Sequence, residues 1–150
     1  MSADICRIRS RKITLFMAST LIGAVASPKR TQGLITNVAA NSTHSLVQLK
    51  GPGLFLSAAI SKQGGNTDLT FVILDIDGQN VVNISVAALI NLGLASHNSY
   101  GVMAFKSSAG LDTVTIGWPY PLTFKKELSL SVTVNEPGVV QILGNVITAS

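Results

Sequence analysis

Between Leu122 and Val134 apolar and polar residues alternate with a period of two. Leu122, Phe124, Leu128, Leu130, Val132 and Val134 fall on one parity, and Thr123, Lys125, Ser129, Ser131 and Thr133 on the other. Only a β-strand with one face in a core and one in water uses that period. Lys126 interrupts it near the middle, where a bulge or bend is expected. Asn135-Glu136-Pro137-Gly138 then supplies a turn, and Val139 to Thr148 returns as a final strand.

The same alternation recurs upstream. Strands are predicted at Leu34–Val38, Ser45–Lys50, Leu54–Lys62, Asp68–Ile76, Asn80–Val86, Gly101–Lys106 and Thr113–Trp118. Gly51-Pro52-Gly53, Gly64-Gly65-Asn66, Asp77-Gly78 and Ser107-Ser108-Ala109-Gly110 separate them with turn chemistry. One short helix is expected at Val86–Leu94, with Ser85 as N-cap and Gly93 near its end. A parallel α/β sheet needs several long crossover helices, and the pattern offers none. The expected fold is therefore all-β: an antiparallel β-sandwich of jelly-roll or Greek-key type with about eight strands, one short helix and an extended N-terminal arm. We divide the chain into an arm, 1–32, and a sandwich domain, 33–150.

Length and composition agree with a single packed domain. The 150 residues are 47% apolar and 12% charged, against about 25% charged for soluble domains at large, which excludes general disorder. Cys6 stands alone, so no disulfide joins two parts of this sequence. The net charge of +4 is not a property of the whole. Arg7, Arg9, Arg11, Lys12, Lys29 and Arg30 oppose a single acid, Asp4, in the first thirty residues, whereas beyond them five lysines oppose six carboxylates. A body so nearly neutral carries no footprint for gripping nucleic acid by counterion release.

The N-terminal segment runs from those basic residues into Ile13 to Ala26, then Ser27-Pro28-Lys29-Arg30. Three readings stay open for it. It is an arm that lays Leu15, Phe16 and their neighbours on another subunit. It is a secretory signal, with Ala24-Val25-Ala26 fitting the small-x-small rule for cleavage after Ala26. Or translation starts at Met17. As a membrane span the run is too short, since about 20 apolar residues are needed.

Several motifs invite chemistry. Phe71 to Gly78 ends an apolar strand in Asp-x-Asp-Gly and resembles the nucleophile motif of haloacid-dehalogenase-type phosphatases. That chemistry needs further carboxylates for Mg²⁺, and Asp112, Glu127 and Glu136 lie scattered downstream. As a helix-loop-helix calcium loop counted from Asp75, the bidentate position falls on Val86. A looser Asp75/Asp77 calcium site and a plain Asp77-Gly78 hairpin turn remain, of which the turn is the expectation. His44 and His97 have no neighbours at metal-ligand spacing. No Gly-x-Ser-x-Gly elbow or phosphate loop occurs, so no enzyme, cofactor or metal is expected. Trp118-Pro119-Tyr120-Pro121 reads as a packed crossover or, with Tyr100, as a stacking platform. Asn41 and Asn83 head glycosylation tripeptides, the second on an expected strand.

Leu122 to Val134, Val139 to Thr148 and the Gly/Ser/Asn-rich stretch from Gly33 to Gly53 together give a pattern that resembles the small sandwich proteins of tailed-bacteriophage virions: head decoration, head-fibre or tail-associated proteins. The resemblance implies a non-enzymatic structural protein located in the virion. Its partners would be other virion proteins and copies of itself, with no specific nucleic acid and no small-molecule substrate. Partner contacts are expected at Arg7, Arg9, Arg11, Lys12, Leu15, Phe16, Trp118 and Tyr120. The alternative is a secreted or periplasmic binding module, adhesin-like or carbohydrate-binding.

Overall fold

The computed structural model describes residues 27–107 and 110–150. The strands are β1 (Pro28–Thr36), β2 (Ser42–Lys50), β3 (Gly53–Gly64), β4 (Thr70–Ile76), β5 (Gln79–Ser85), β6 (Val102–Lys106), β7 (Leu111–Phe124), β8 (Glu127–Val134) and β9 (Val139–Ala149). One helix, α1 (Val86–Asn91), follows β5. Two antiparallel sheets face each other, of strand order β1-β9-β3-β7-β6 and β2-β8-β4-β5.

Four pairings explain this order: β4 with β5, β3 with β7, β2 with β8, and β1 with β9. They are successive rungs of one long hairpin whose tip is Asp77-Gly78, folded so that its rungs fall alternately into the two sheets. That winding is the jelly roll, with α1 and β6 inserted between β5 and β7. At the tip Asp77 and Gly78 both have positive φ, 52° and 77°, the geometry of a two-residue type I′ turn. The hairpin expectation for Asp77-Gly78 holds.

Inward-facing side chains fill the space between the sheets. Phe55, Leu74, Leu128, Leu130, Val132, Ile142 and Val146 are all buried there, as their parity requires. The barrel closes where β1 meets β2. Leu46 is an extra residue in β2, because Ser45 pairs with Ser131 and Val47 with Leu130, and this bulge brings its backbone over β1. Gly33 and Gly144, paired across β1 and β9, leave the hollow that receives it. A Cβ on Gly33 would lie 1.8 Å from the Leu46 carbonyl oxygen.

Three expectations need correction. Leu122 to Val134 is not one strand bent at Lys126: the chain reverses at Lys125-Lys126 and passes from β7 in one sheet to β8 in the other. Parity survived the turn, so the alternation hid it. Trp118 to Pro121 is not a crossover between strands but an excursion inside β7. Phe55 pairs with Leu122 and Ser57 with Gly117, so β7 spends extra residues opposite Leu56, where its two prolines forfeit no ladder bond. The first strand begins at Pro28 rather than Leu34, so residues 28–32 lie in β1 and pair with β9.

The helix starts where its cap requires. The Ser85 hydroxyl accepts a bond from the Ala88 N–H at 3.1 Å, Leu89 is buried against the core, and Gly93 turns the chain out at φ 75°. It ends at Asn91, three residues before the predicted Leu94. Ser85→Ala is expected to cost about 1 kcal/mol, read as a lower denaturation midpoint at unchanged m-value.

Candidate functional site: two carboxylate clamps and a sheet face with a single charge

Both candidate catalytic aspartates are occupied by the fold. The Asp77 carboxylate accepts the backbone N–H groups of Lys125 (2.8 Å), Lys126 (2.6 Å) and Glu127 (3.0 Å), while its own N–H donates to the Glu127 carbonyl at 2.9 Å. Asp75 accepts from the Asn80 side-chain amide at 2.8 Å. Asp77 thus ties the hairpin tip to the β7–β8 turn, and Gly51 joins the same end by donating to the Lys126 carbonyl at 2.7 Å. Three backbone N–H donors hold the Asp77 carboxyl below its ordinary range. Its stabilising effect is therefore present above about pH 4 and lost as pH falls through the lowered value. Asp77→Asn, which keeps a residue tolerant of positive φ, is expected to lower the melting temperature at pH 7. The difference from wild type should vanish in strong acid.

The opposite end of the barrel holds a buried ionic cluster. Lys62 has the inward parity of Ala58 and Ile60 on β3, and Asp112 that of Val114 and Ile116 on β7. The two are directly paired across the strands. Lys62 Nζ lies 2.7 Å from Glu136 Oε1, 3.1 Å from Asp112 Oδ2 and 3.5 Å from Asp68 Oδ1. Asp68 also pairs with Lys106. Glu136, fully buried in the β8–β9 turn, further accepts from the Thr70 hydroxyl at 2.6 Å and from the N–H groups of Thr67 and Asp68 at 3.1 Å each.

Burial works against the charges of Glu136, Asp68 and Lys62 and loses. It pushes the Glu136 carboxyl up, but Lys62, Thr70 and the Thr67 N–H outweigh it and hold the group below its ordinary value. Burial likewise raises Asp68, and Lys106 with Lys62 brings it down. For Lys62 burial lowers the pKa, yet Glu136 and Asp112 hold it above 10.5. Glu136 and Asp68 stabilise the fold above about pH 4 and lose that effect as pH falls through their lowered values; Lys62 contributes below about pH 10.5 and loses its effect as pH rises through its raised value.

Sequence reading missed this cluster, because its members are 74 residues apart at the extreme. One signal was available: Lys62 and Asp112 each sit at an inward position of an otherwise apolar face. The arrangement is a structural pin. Among the described residues no group of three or more His, Cys, Asp or Glu could hold a metal ion.

The outer face of the five-stranded sheet has the opposite character. Following the register, Leu34, Leu143, Ser61, Thr113 and Phe105 form one row across it; Gln32, Asn145, Ala59, Thr115 and Met103 form the next. A third row runs Arg30, Ile147, Ser57 and Gly117. Arg30 is the one charge in these rows. Large side chains stand at both margins and small ones in the middle, so the face is hollowed into a cavity of about 360 Å³ over Ser57, Ala59, Thr115 and Asn145. The Asn145 side-chain oxygen is buried there without a hydrogen-bond partner.

The aromatic residues do not converge. Trp118 is half-buried, stands edge-on to Phe55 with ring centres 6.1 Å apart, and lines a cavity with His97 and Asn98. Tyr100 lines a different cavity, beside β5, and Tyr120 is exposed and lines neither. His44 bonds the Ser42 hydroxyl at 2.8 Å. Asn41 is exposed in a turn, and Asn83 is exposed on β5. Arg7, Arg9, Arg11, Lys12, Leu15 and Phe16 lie outside the described residues.

No protein-family model matches the chain, and no curated protein matches it in sequence. Solved structures similar to it include capsid proteins. The acid-stable capsid of Helicobacter pylori bacteriophage KHP30 is 12% identical, over 84% of this chain and 90% of that one, with a TM-score of 0.48. The capsid of cyanophage Pam1 is 10% identical over 81% and 84%, at 0.45. FLHE, a crystal structure, is 11% identical over 81% and 96%, at 0.40. No helix among the described residues is long and apolar enough to cross a membrane.

Proposed function

We propose that this chain is a non-enzymatic structural protein of a virion, assembling with copies of itself or other virion proteins through its N-terminal arm and its sheet surfaces. The observation that carries the reading is the outer face of the five-stranded sheet, whose three rows hold a single charge, Arg30. A protein that works alone in solution keeps such a face charged; one that is covered gains by leaving it bare. The jelly roll is a recurrent architecture of virus shells and also of lectins, so fold alone does not choose between them. Against the lectin-like reading, Trp118, Tyr100 and Tyr120 form no common platform. The ionisable groups that chemistry would need, Asp75, Asp77 and Glu136, are all engaged in holding the fold.

Fractionation of the native source tests this. The chain is expected to co-purify with particles, with its N-terminal segment intact by mass spectrometry. A mature terminus at Ser27, or a monodisperse monomer at high concentration with the segment intact, would overturn it.

A further inference from the structure

We infer that the edge of β5 and the groove beside it receive the N-terminal segment of a second copy of this chain as an added strand. The inference rests on the assembly reading above and specifies its contact.

Among the described residues the sandwich has four edge strands, and three of them carry proline, charge or a covering segment. β1 carries Pro28, Lys29 and Arg30. β2 is bulged at Leu46, lies over β1 and ends in Lys50. The free side of β6 is occupied: the Ala104 N–H donates to the Leu94 carbonyl at 2.9 Å, and the Asn98 amide donates to the Val102 carbonyl at 3.0 Å. Proline, charge and covering are the devices by which edges avoid pairing with other chains. β5 reads Gln-Asn-Val-Val-Asn-Ile-Ser, with neither proline nor charge, and among the described residues pairs only with β4. It is bulged at Val81, since Leu74 pairs with Val82 and Asp75 with Asn80, and the Asn80 amide donates to the Val82 carbonyl at 3.3 Å, so the regular uncharged run offered to a partner is Val82 to Ser85.

A groove of about 340 Å³ opens next to this edge. Val81 and Ile84 of β5 form one wall, and Leu89, Leu92, Tyr100 and Val102 the other. No charged residue lines it, although Leu92 is 67% and Tyr100 73% exposed. An uncharged edge run beside an apolar trough is the arrangement that accepts an extended peptide: main-chain bonds give affinity, and alternate side chains enter the trough.

The occupant follows from the sequence. Ile13 to Ala26 is the longest uncharged apolar stretch outside the described residues, and it directly precedes β1. In an extended chain Ile13, Leu15 and Met17 fall on one side, the side that would enter the trough. A molecule cannot readily serve itself in this way. β1 and β5 lie at opposite edges of opposite sheets, and a tether from Pro28 would have to cross the barrel end that the Asp77 clamp already fills. A neighbouring copy meets no such obstacle. The exchange is head-to-tail, so it propagates unless symmetry closes it into a ring.

The test uses the full chain with Tyr100→p-benzoylphenylalanine, prepared as a mixture of ¹⁵N-labelled and unlabelled protein and irradiated. Cross-links are expected from position 100 of one chain to residues within 7–26 of another. Cross-links confined to one chain, or to other regions, or none at all overturn the inference. Leu92→Asp supplies a second measurement at an exposed position: sedimentation should show assembly weakened about tenfold or more, a free-energy change of about 1.4 kcal/mol or more, with the melting temperature retained. If Leu92→Asp assembles as wild type does, this contact is wrong and the assembly reading stands. If the wild-type chain never assembles, both fall.

Discussion

Glu136→Ala is expected to destabilise the fold by about 3–5 kcal/mol, the usual cost of removing one member of a buried ion pair. The alanine leaves Lys62, 2% exposed, with its nearest anion gone. It also strips the acceptor from the Thr70 hydroxyl and from the N–H groups of Thr67 and Asp68. Those donors belong to the β3–β4 loop and the start of β4, while Glu136 belongs to the β8–β9 turn, so one side chain ties together two connections of the jelly roll. Urea unfolding at pH 7 measures the loss. Glu136→Gln keeps an acceptor for the loop N–H groups and should fall between alanine and wild type. The sign of the pH effect gives a second check. Because the wild-type carboxyl is held below its ordinary value, the gap between wild type and Glu136→Gln should be full at neutral pH and narrow as pH drops below about 4.

Gly33→Val is the other substitution with a large expected effect, about 3 kcal/mol, the upper end for an overpacked site. A Cβ there would stand 1.8 Å from the Leu46 carbonyl oxygen and 2.6 Å from its carbon. The obstacle is backbone rather than the end of a flexible side chain, so no rotamer change relieves it. Either the β2 bulge or β1 must move. Hydrogen exchange distinguishes the two: loss of protection confined to residues 28–36 and their β9 partners means that β1 peels away, whereas loss across β2 and β8 means that the bulge is refused. Gly144→Ala should cost less, because its nearest contact, the Leu46 Cδ1 at 2.9 Å, can turn aside, which leaves the Leu46 Cβ at 3.2 Å to yield by a few tenths of an ångström.

Much of this was legible in the sequence because a half-buried strand writes its burial into alternate residues. Leu128 to Val134 has the expected inward parity, Asp77-Gly78 makes the turn its composition demands, and Ser85 caps the helix it precedes. Failure came where the local pattern is the same for two different structures. A strand continuing through Lys125-Lys126 and a strand reversing there preserve the same parity, so only the pairing of β8 with β2 and β4 separates them. The assignment of Trp118 to Pro121 failed for a related reason: two prolines end most strands, and here the partner strand simply waits for them to pass. The ionic cluster was invisible as a cluster because it is made by the winding of the hairpin, which carries Lys62, Asp112 and Glu136 to one end of the barrel. Nothing in the spacing of those residues records that.

The winding also decides how the molecule bears load. Pro28 pairs with Ala149, so the described chain begins and ends on neighbouring strands at one corner. Tension applied between the two ends would open the β1–β9 ladder one rung at a time, like a zipper pulled from its slider, instead of shearing all of its bonds together. The corner that anchors the N-terminal segment is therefore the place where pulling is least resisted. In the assembly proposed above, strength would have to come from pressure and contact spread across the faces of the sandwich rather than from tension through its ends.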